Sequence, residues 1–157
     1  MIDLFKLDSN QELAMEGFIR DFLQIPRVAD LPSFSRIFDE QFLPVSEANN
    51  RTEASGISHF HSEVLSIARA QEKIQSRYLN NFTLITSLEP CLMCTGAIIL
   101  SRLKKVIYLV RNTKAEGISS LSPEQIYLKN HFPELLYHPD SRVKEKFEVF
   151  FNSLRSF

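Results

Sequence analysis

One histidine, one glutamate and two cysteines are spaced in this chain as chemistry would require. His61-Ser62-Glu63 is followed by Pro90-Cys91-Leu92-Met93-Cys94, which holds both of the 2 cysteines among 157 residues. One imidazole and two thiolates supply three ligands suited to zinc. They leave a fourth position open, as a catalytic rather than a structural zinc site does. Glu63, two residues from the histidine, can carry protons without being a ligand. Positions three apart on a helix share a face, so Cys91 and Cys94 can converge on one ion. If they open a helix, as Pro90 suggests, the positive end of its dipole favours thiolate over thiol.

Other chemistries compete for these residues. A lone C-x-x-C also suits a redox dithiol. That reading has no use for H-x-E, and Leu92-Met93 between the cysteines gives no hint of it. A structural zinc site needs a fourth ligand, and His59 is the candidate. Glu63 in isolation reads as a charge on a helix surface. His59 is either an exposed loop histidine or a pocket residue. His131 and His138 read as surface or loop residues.

The elements that must hold these groups can be traced coarsely. Asp8-Ser9 precede an amphipathic helix from about Gln11 to Ile25, with Leu13, Phe18, Phe22 and Ile25 near one face and Pro26 ending it. A loop runs from Pro26 to Pro32. Phe34 to Phe38 and Phe42 to Glu47 are strand candidates, and Pro44 suits an edge or a bulge. Asn49 to Ser58 is turn-like. A helix opens near His61 and runs to about Arg77, with Val64, Leu65, Ile67 and Ala68 on its apolar side. Phe82 to Ser87 alternates as a strand, Cys91 to Arg102 reads as a buried helix, and Val106 to Val110 as a strand buried on both faces. Ser122-Pro123-Glu124 looks like a helix start. Leu135 to His138 is a short strand candidate. Asp140-Ser141 can cap a last helix carrying Val143, Phe147, Phe150, Phe151 and Leu154, whose phenylalanines read as core or dimer packing rather than a base-stacking platform. Helices alternating with strands make a three-layer α/β/α sandwich the natural architecture.

Bulk properties narrow the field. The length suits one domain spanning residues 1–157, with room for a core. An apolar share of 44% with 13 phenylalanines argues against disorder. A net charge of −1 and a pI near 6.4 give no general pull toward nucleic acid or anionic membrane. Met1 to Lys6 shows no secretory signal and no segment is long enough to span a bilayer, so no membrane role is expected. Cysteines confined to one motif suit a reducing cytoplasm.

The pattern H-x-E … P-C-x-x-C resembles that of zinc-dependent nucleobase deaminases. Glu89-Pro90-Cys91-Leu92-Met93-Cys94-Thr95-Gly96-Ala97-Ile98 with Ser101-Arg102 resembles the E-P-C-x-M-C-x-G-A-[IM]-x-x-S-R run of the cytidine deaminase-like superfamily, in its branch of tRNA adenosine deaminases and guanine deaminases. His61-Ser62-Glu63 resembles the H-A-E of that branch, with serine in place of alanine. The resemblance is strongest from about Phe60 to Asn112. Upstream it departs: Ile57-Ser58-His59-Phe60 stands where relatives carry D-P-T-A, and Pro32-Ser33-Phe34-Ser35 where they carry P-V-G-A. The tail Phe150-Phe151-Asn152-Ser153-Leu154-Arg155 looks like an F-F-x-x-x-R ending, but Arg155 stands nearly alone where relatives are richer in basic residues.

The resemblance implies an α/β fold, a three-layer sandwich with a mixed central sheet of about five strands. It implies zinc held by His61, Cys91 and Cys94, and Glu63 as the proton carrier of a hydrolytic deamination. An asparagine after the second strand, Asn49 or Asn50, would read the base, while His59 and Phe60 would shape the pocket entrance. A homodimer is implied as well. The expected activity is deamination of a free nucleobase or nucleoside, with ammonia released. One alternative is tRNA adenosine editing, which the chain's charge does not favour. Another is a non-catalytic, zinc-containing partner subunit, against which the presence of Glu63 argues.

Overall fold

The computed structural model describes residues 6–155, so the reading of the first five residues lies outside it. Helix α1, Ser9–Gln24, starts with a capping box. The Asp8 carboxylate accepts from the Gln11 amide, and the Gln11 side chain accepts from the Asp8 amide. Its buried side is Met15, Phe18, Ile19 and Phe22; Leu13, expected on that face, is 73% exposed. Strand β1, Phe34–Phe38, follows and turns back through Asp39 into β2, Pro44–Asn49. The Asp39 carboxylate accepts from the Gln41 and Leu43 amides, which holds the turn. Phe42 takes a positive φ there and belongs to the turn, so β2 begins later than expected and ends on Asn49.

The next elements bracket the candidate site. A short helix α2, Thr52–Ser55, lies within the stretch expected to be turn-like. Helix α3, Ser62–Ile74, leads to strand β3, Thr83–Leu88; then come α4, Leu92–Ser101, and strand β4, Lys105–Val110. A single 3-10 turn at Ile118–Ser120, helix α5 at Pro123–Tyr127, strand β5 at Glu134–Tyr137 and helix α6 at Ser141–Leu154 complete the chain.

The five strands form one mixed sheet in the order β2-β1-β3-β4-β5. β1 is antiparallel to β2 and β3, whereas β3, β4 and β5 run parallel. Pro44 opens an edge strand, where its missing N–H costs no ladder bond. Alternation along the strands divides the core into two layers. Phe34, Phe38, Ile85, Ile107 and Leu109 pack with α1 and α6 on one face; Ile37, Leu84, Val106 and Tyr108 pack with Ile67 and Ala70 of α3 and Ile98 of α4 on the other. This is the three-layer α/β/α sandwich with a mixed sheet.

The apolar side expected for α3 needs correction. Its buried positions are Ser62, Glu63, Ser66, Ile67 and Ala70, while Ala68 is exposed. Polar groups occupy the inner side because they face the candidate site rather than the apolar core.

Candidate active site

His61 and Cys91 occupy equivalent places. Each is the residue just before a helix, α3 and α4 respectively, with extended backbone (φ −73, ψ 151 and φ −71, ψ 175). Neither side chain caps its own helix, so both are free to project away from it. Cys94 lies one turn into α4 and is fully buried. His61 Nδ1 lies 3.6 Å from Cys91 Sγ and 3.5 Å from Cys94 Sγ. The ligand atoms of the three residues all fall within 4.8 Å of one another. Neither His59 nor Glu63 belongs to that cluster. Two sulfurs and one imidazole nitrogen converging at two helix N-termini are a donor set that fits zinc.

The electrostatics of the three donors are coupled. Its hydrogen bond with Cys94, together with His61, lowers Cys91 to about 4 against the penalty of burial. Cys94 is pushed up, first by its hydrogen bond with Cys91 and then by burial. His61 is raised by its hydrogen bond with Cys91, with burial opposing. A metal bound there would take both sulfurs as thiolates, displacing their protons.

Glu63, in the first turn of α3, is 4% exposed, and burial raises its carboxyl above the usual range. Its Oε2 lies 3.6 Å from Cys94 Sγ. It is therefore a carboxylate beside the donor cluster and outside it.

A second polar feature ties the cysteine-bearing turn in place. Glu89, 3% exposed, accepts from the Asn112 amide at 3.0 Å, from the Ser119 amide at 2.9 Å and from the Ser119 hydroxyl. Pro90 O accepts from the Ile118 amide at 2.9 Å, and Cys91 pairs with Gly117 as an isolated bridge. The loop after β4 is thereby latched to the turn that presents Cys91.

The residues expected to bind substrate are placed as follows. His59 is exposed and meets the half-buried Phe60 ring edge-on, 5.4 Å between centroids. Asn49 and Asn50 both line a cavity of about 510 Å³ between the 23–33 segment and α6. Asn49 is exposed, whereas Asn50 is buried and its amide nitrogen donates to Asp30 at 3.2 Å and Thr52 at 3.1 Å. The cavity does not include the donor cluster; its Ser33 hydroxyl lies 2.8 Å from that of Ser62, the residue after His61. Sequence reasoning gave no role to Glu89, Ser33, Ser35, Ser62 or Thr86. The available signal was polarity at positions the strand and helix periods bury.

A family model described as MafB19-like deaminase matches residues 36–155, and the chain belongs to that family. A tRNA-specific adenosine deaminase of Aquifex aeolicus is 33% identical over 114 residues, 71% of this chain and 75% of that protein. Further tRNA-specific adenosine deaminases are matched over about half of their length. Among solved structures, one from a study of A-to-I editing by tRNA:A34 deaminases at the wobble position has a TM-score of 0.65 at 22% identity, covering 84% of this chain and 91% of that one. The guanine deaminase of Bacillus subtilis has a TM-score of 0.52 at 24% identity, covering 90% and 88%. At these identities the two structures establish the shared fold.

Proposed function

We propose that the chain is a single zinc-dependent hydrolytic deaminase domain acting on a nucleobase or nucleoside and releasing ammonia. The observation that carries this is the convergence of His61, Cys91 and Cys94 beside a buried carboxylate that is not part of the donor set. His61, Cys91 and Cys94 would hold the zinc, which when bound supplies a Lewis acid that activates water. Glu63 collects a proton on its carboxylate, delivers it to the ring nitrogen of the base and then carries a second to the leaving amine.

Small substrates are favoured by the charge around the neighbouring cavity. Its cations are Arg27, Arg142 and Lys146, and the latter two are engaged internally. Arg142 pairs with Glu16 and Asp140, and the Lys146 ammonium binds the Phe22 and Ile25 carbonyls. Such a lining offers little to a phosphate backbone. A tRNA adenosine is the second reading, supported by the tRNA-specific relative of Aquifex aeolicus. Asn49 or Asn50 would read the base edge, with His59 and Phe60 at the entrance.

The same reading includes a cytoplasmic homodimer. Helix α4 carries no charged residue and leaves Leu92, Met93 and Leu100 exposed, which supports a self-contact there. Both cysteines are free thiols, and no helix among the described residues is long and apolar enough to cross a membrane. The test is ammonia release across bases, nucleosides and an adenosine-containing anticodon stem-loop at two salt concentrations. Turnover of a small substrate with little salt dependence supports the first reading. Activity confined to the RNA and falling steeply with salt makes tRNA editing the better answer.

A further inference from the structure

Four buried hydroxyls meet around Glu63. They belong to Ser33 just before β1, Ser35 in β1, Ser62 at the start of α3 and Thr86 in β3, and none is more than 6% exposed. Ser62 Oγ lies 2.8 Å from Ser33 Oγ and 2.7 Å from Ser35 Oγ. Ser35 donates to Thr86 at 2.9 Å, and Thr86 donates to Glu63 Oε1 at 3.3 Å.

Each hydroxyl has one proton to give, which allows one donor at each contact of the chain. Ser35 spends its proton on Thr86. The short Ser62–Ser35 contact is then filled by the Ser62 proton, and the Ser33–Ser62 contact by that of Ser33. Thr86, already an acceptor, turns its own proton toward Glu63, with the Leu88 carbonyl at 3.2 Å as its other outlet. If Ser62 instead donates to Glu63 Oε2, at 3.3 Å, the Ser35 proton fills the Ser62–Ser35 contact, and the carboxylate still receives a hydroxyl proton. Hydrogen bonds in series polarise one another, and in a dry site each is worth more than in water.

We propose that Ser62 and Thr86 are positioning residues, and that the chain Ser33–Ser62–Ser35–Thr86 holds the Glu63 carboxylate in one orientation beside the donor cluster. This rests on the reading of Glu63 as the proton carrier. Ser62 occupies the place of the alanine in H-A-E, and Ser35 falls in the segment that departs from P-V-G-A. The orienting device thus lies where the sequence leaves the family pattern.

The test compares wild type with Ser62→Ala, Thr86→Val and Thr86→Ser, all zinc-loaded, by crystal structure, zinc content, kcat and KM. Ser62→Ala restores the residue of H-A-E and Thr86→Val keeps the side-chain shape, so both are expected to fold. In each of these two variants Glu63 is expected in more than one rotamer. The loss of a hydrogen bond to a charged group is expected to lower kcat about tenfold, with KM and zinc content unchanged. Thr86→Ser, which keeps the hydroxyl, is expected to restore the single rotamer and kcat. One wild-type-like rotamer of Glu63 in both Ser62→Ala and Thr86→Val overturns the proposal. That readout needs no turnover. A wild-type protein that deaminates nothing contradicts the proposed function and leaves the rotamer comparison intact.

Discussion

Gly117 is a site where one methyl group should be costly. A Cβ built there meets the Glu89 carboxyl group, with Glu89 Cγ at 2.9 Å and the carboxyl carbon and an oxygen closer still. Glu89 cannot swing aside freely, because it is buried and held by the Asn112 and Ser119 amides and the Ser119 hydroxyl. Overpacking a filled site costs about 1–3 kcal/mol, and each hydrogen bond to a charged group that is lost adds up to about 1.5–3 kcal/mol. With partial relaxation we expect Gly117→Ala to cost about 2–4 kcal/mol, which for a chain of this size lowers Tm by roughly 5–15 °C. Gly17→Ala is the control. Its Cβ meets only the Arg20 guanidinium at 3.7 Å, inside α1. Removing a helical glycine there is expected to stabilise by about 0.5–1 kcal/mol. Thermal unfolding of metal-free protein reads both, with Glu89→Ala and the Glu89→Ala/Gly117→Ala double variant alongside. The two changes act on one contact, so the double variant should lose much less than the sum of the singles. An unchanged Tm for Gly117→Ala, or full additivity, would refute the latch.

The other expectations concern the metal site, a helix cap and the asparagines. Cys94→Ala is expected to abolish stoichiometric zinc by elemental analysis and to remove the rise in Tm that zinc gives the parent protein, because metal binding energy is partly folding energy. Asp140 caps α6, and its carboxyl is held below the usual 3.8 because bonds from the Arg142 side chain and the Val143 and Arg142 amides outweigh burial, which acts the other way. A depressed carboxyl contributes stability above its unfolded pKa and loses it as pH falls through the folded value. The stability gap between wild type and Asp140→Asn should therefore be full at neutral pH and shrink below about pH 4, as read by denaturant titration; a gap that widens on acidification contradicts this. Asn49→Ala is expected to raise KM with Tm unchanged. Asn50→Ala should lower Tm as well, since its amide ties Asp30 to Thr52.

The donor cluster was legible because its residues are rare and their spacing is fixed by helix geometry. His61, Cys91 and Cys94 converge as two short motifs suggest, and the βαβ order follows from hydrophobic periods. Helix ends were harder. Gln75 and Arg102 end α3 and α4 in the left-handed region without a glycine to announce it, so α3 was read on to Arg77. Leu13 is read near the face of Phe18, Phe22 and Ile25, yet the strict helical period groups Phe18 and Phe22 with Met15 and Ile19, which are the residues buried. The hydroxyls around Glu63 were hidden for a different reason. Serine and threonine look alike on a surface and in a buried network, and only the register Ser35↔Thr86 brings two of them under the start of α3. Asn49 and Asn50 could not be separated by sequence, since adjacent residues at a strand end differ only in which way each side chain turns.

The most direct test of the account is ammonia release by zinc-loaded wild type and Glu63→Ala on the same substrate, with zinc measured in the same samples. General acid-base groups contribute typically ~10²–10⁴-fold, and a carrier serving more than one proton transfer should lie at or above the upper end. The account expects equal zinc in both proteins and turnover lost to that extent in Glu63→Ala. Loss of zinc from Glu63→Ala would make Glu63 a ligand, and wild-type turnover in Glu63→Ala would remove it from the mechanism.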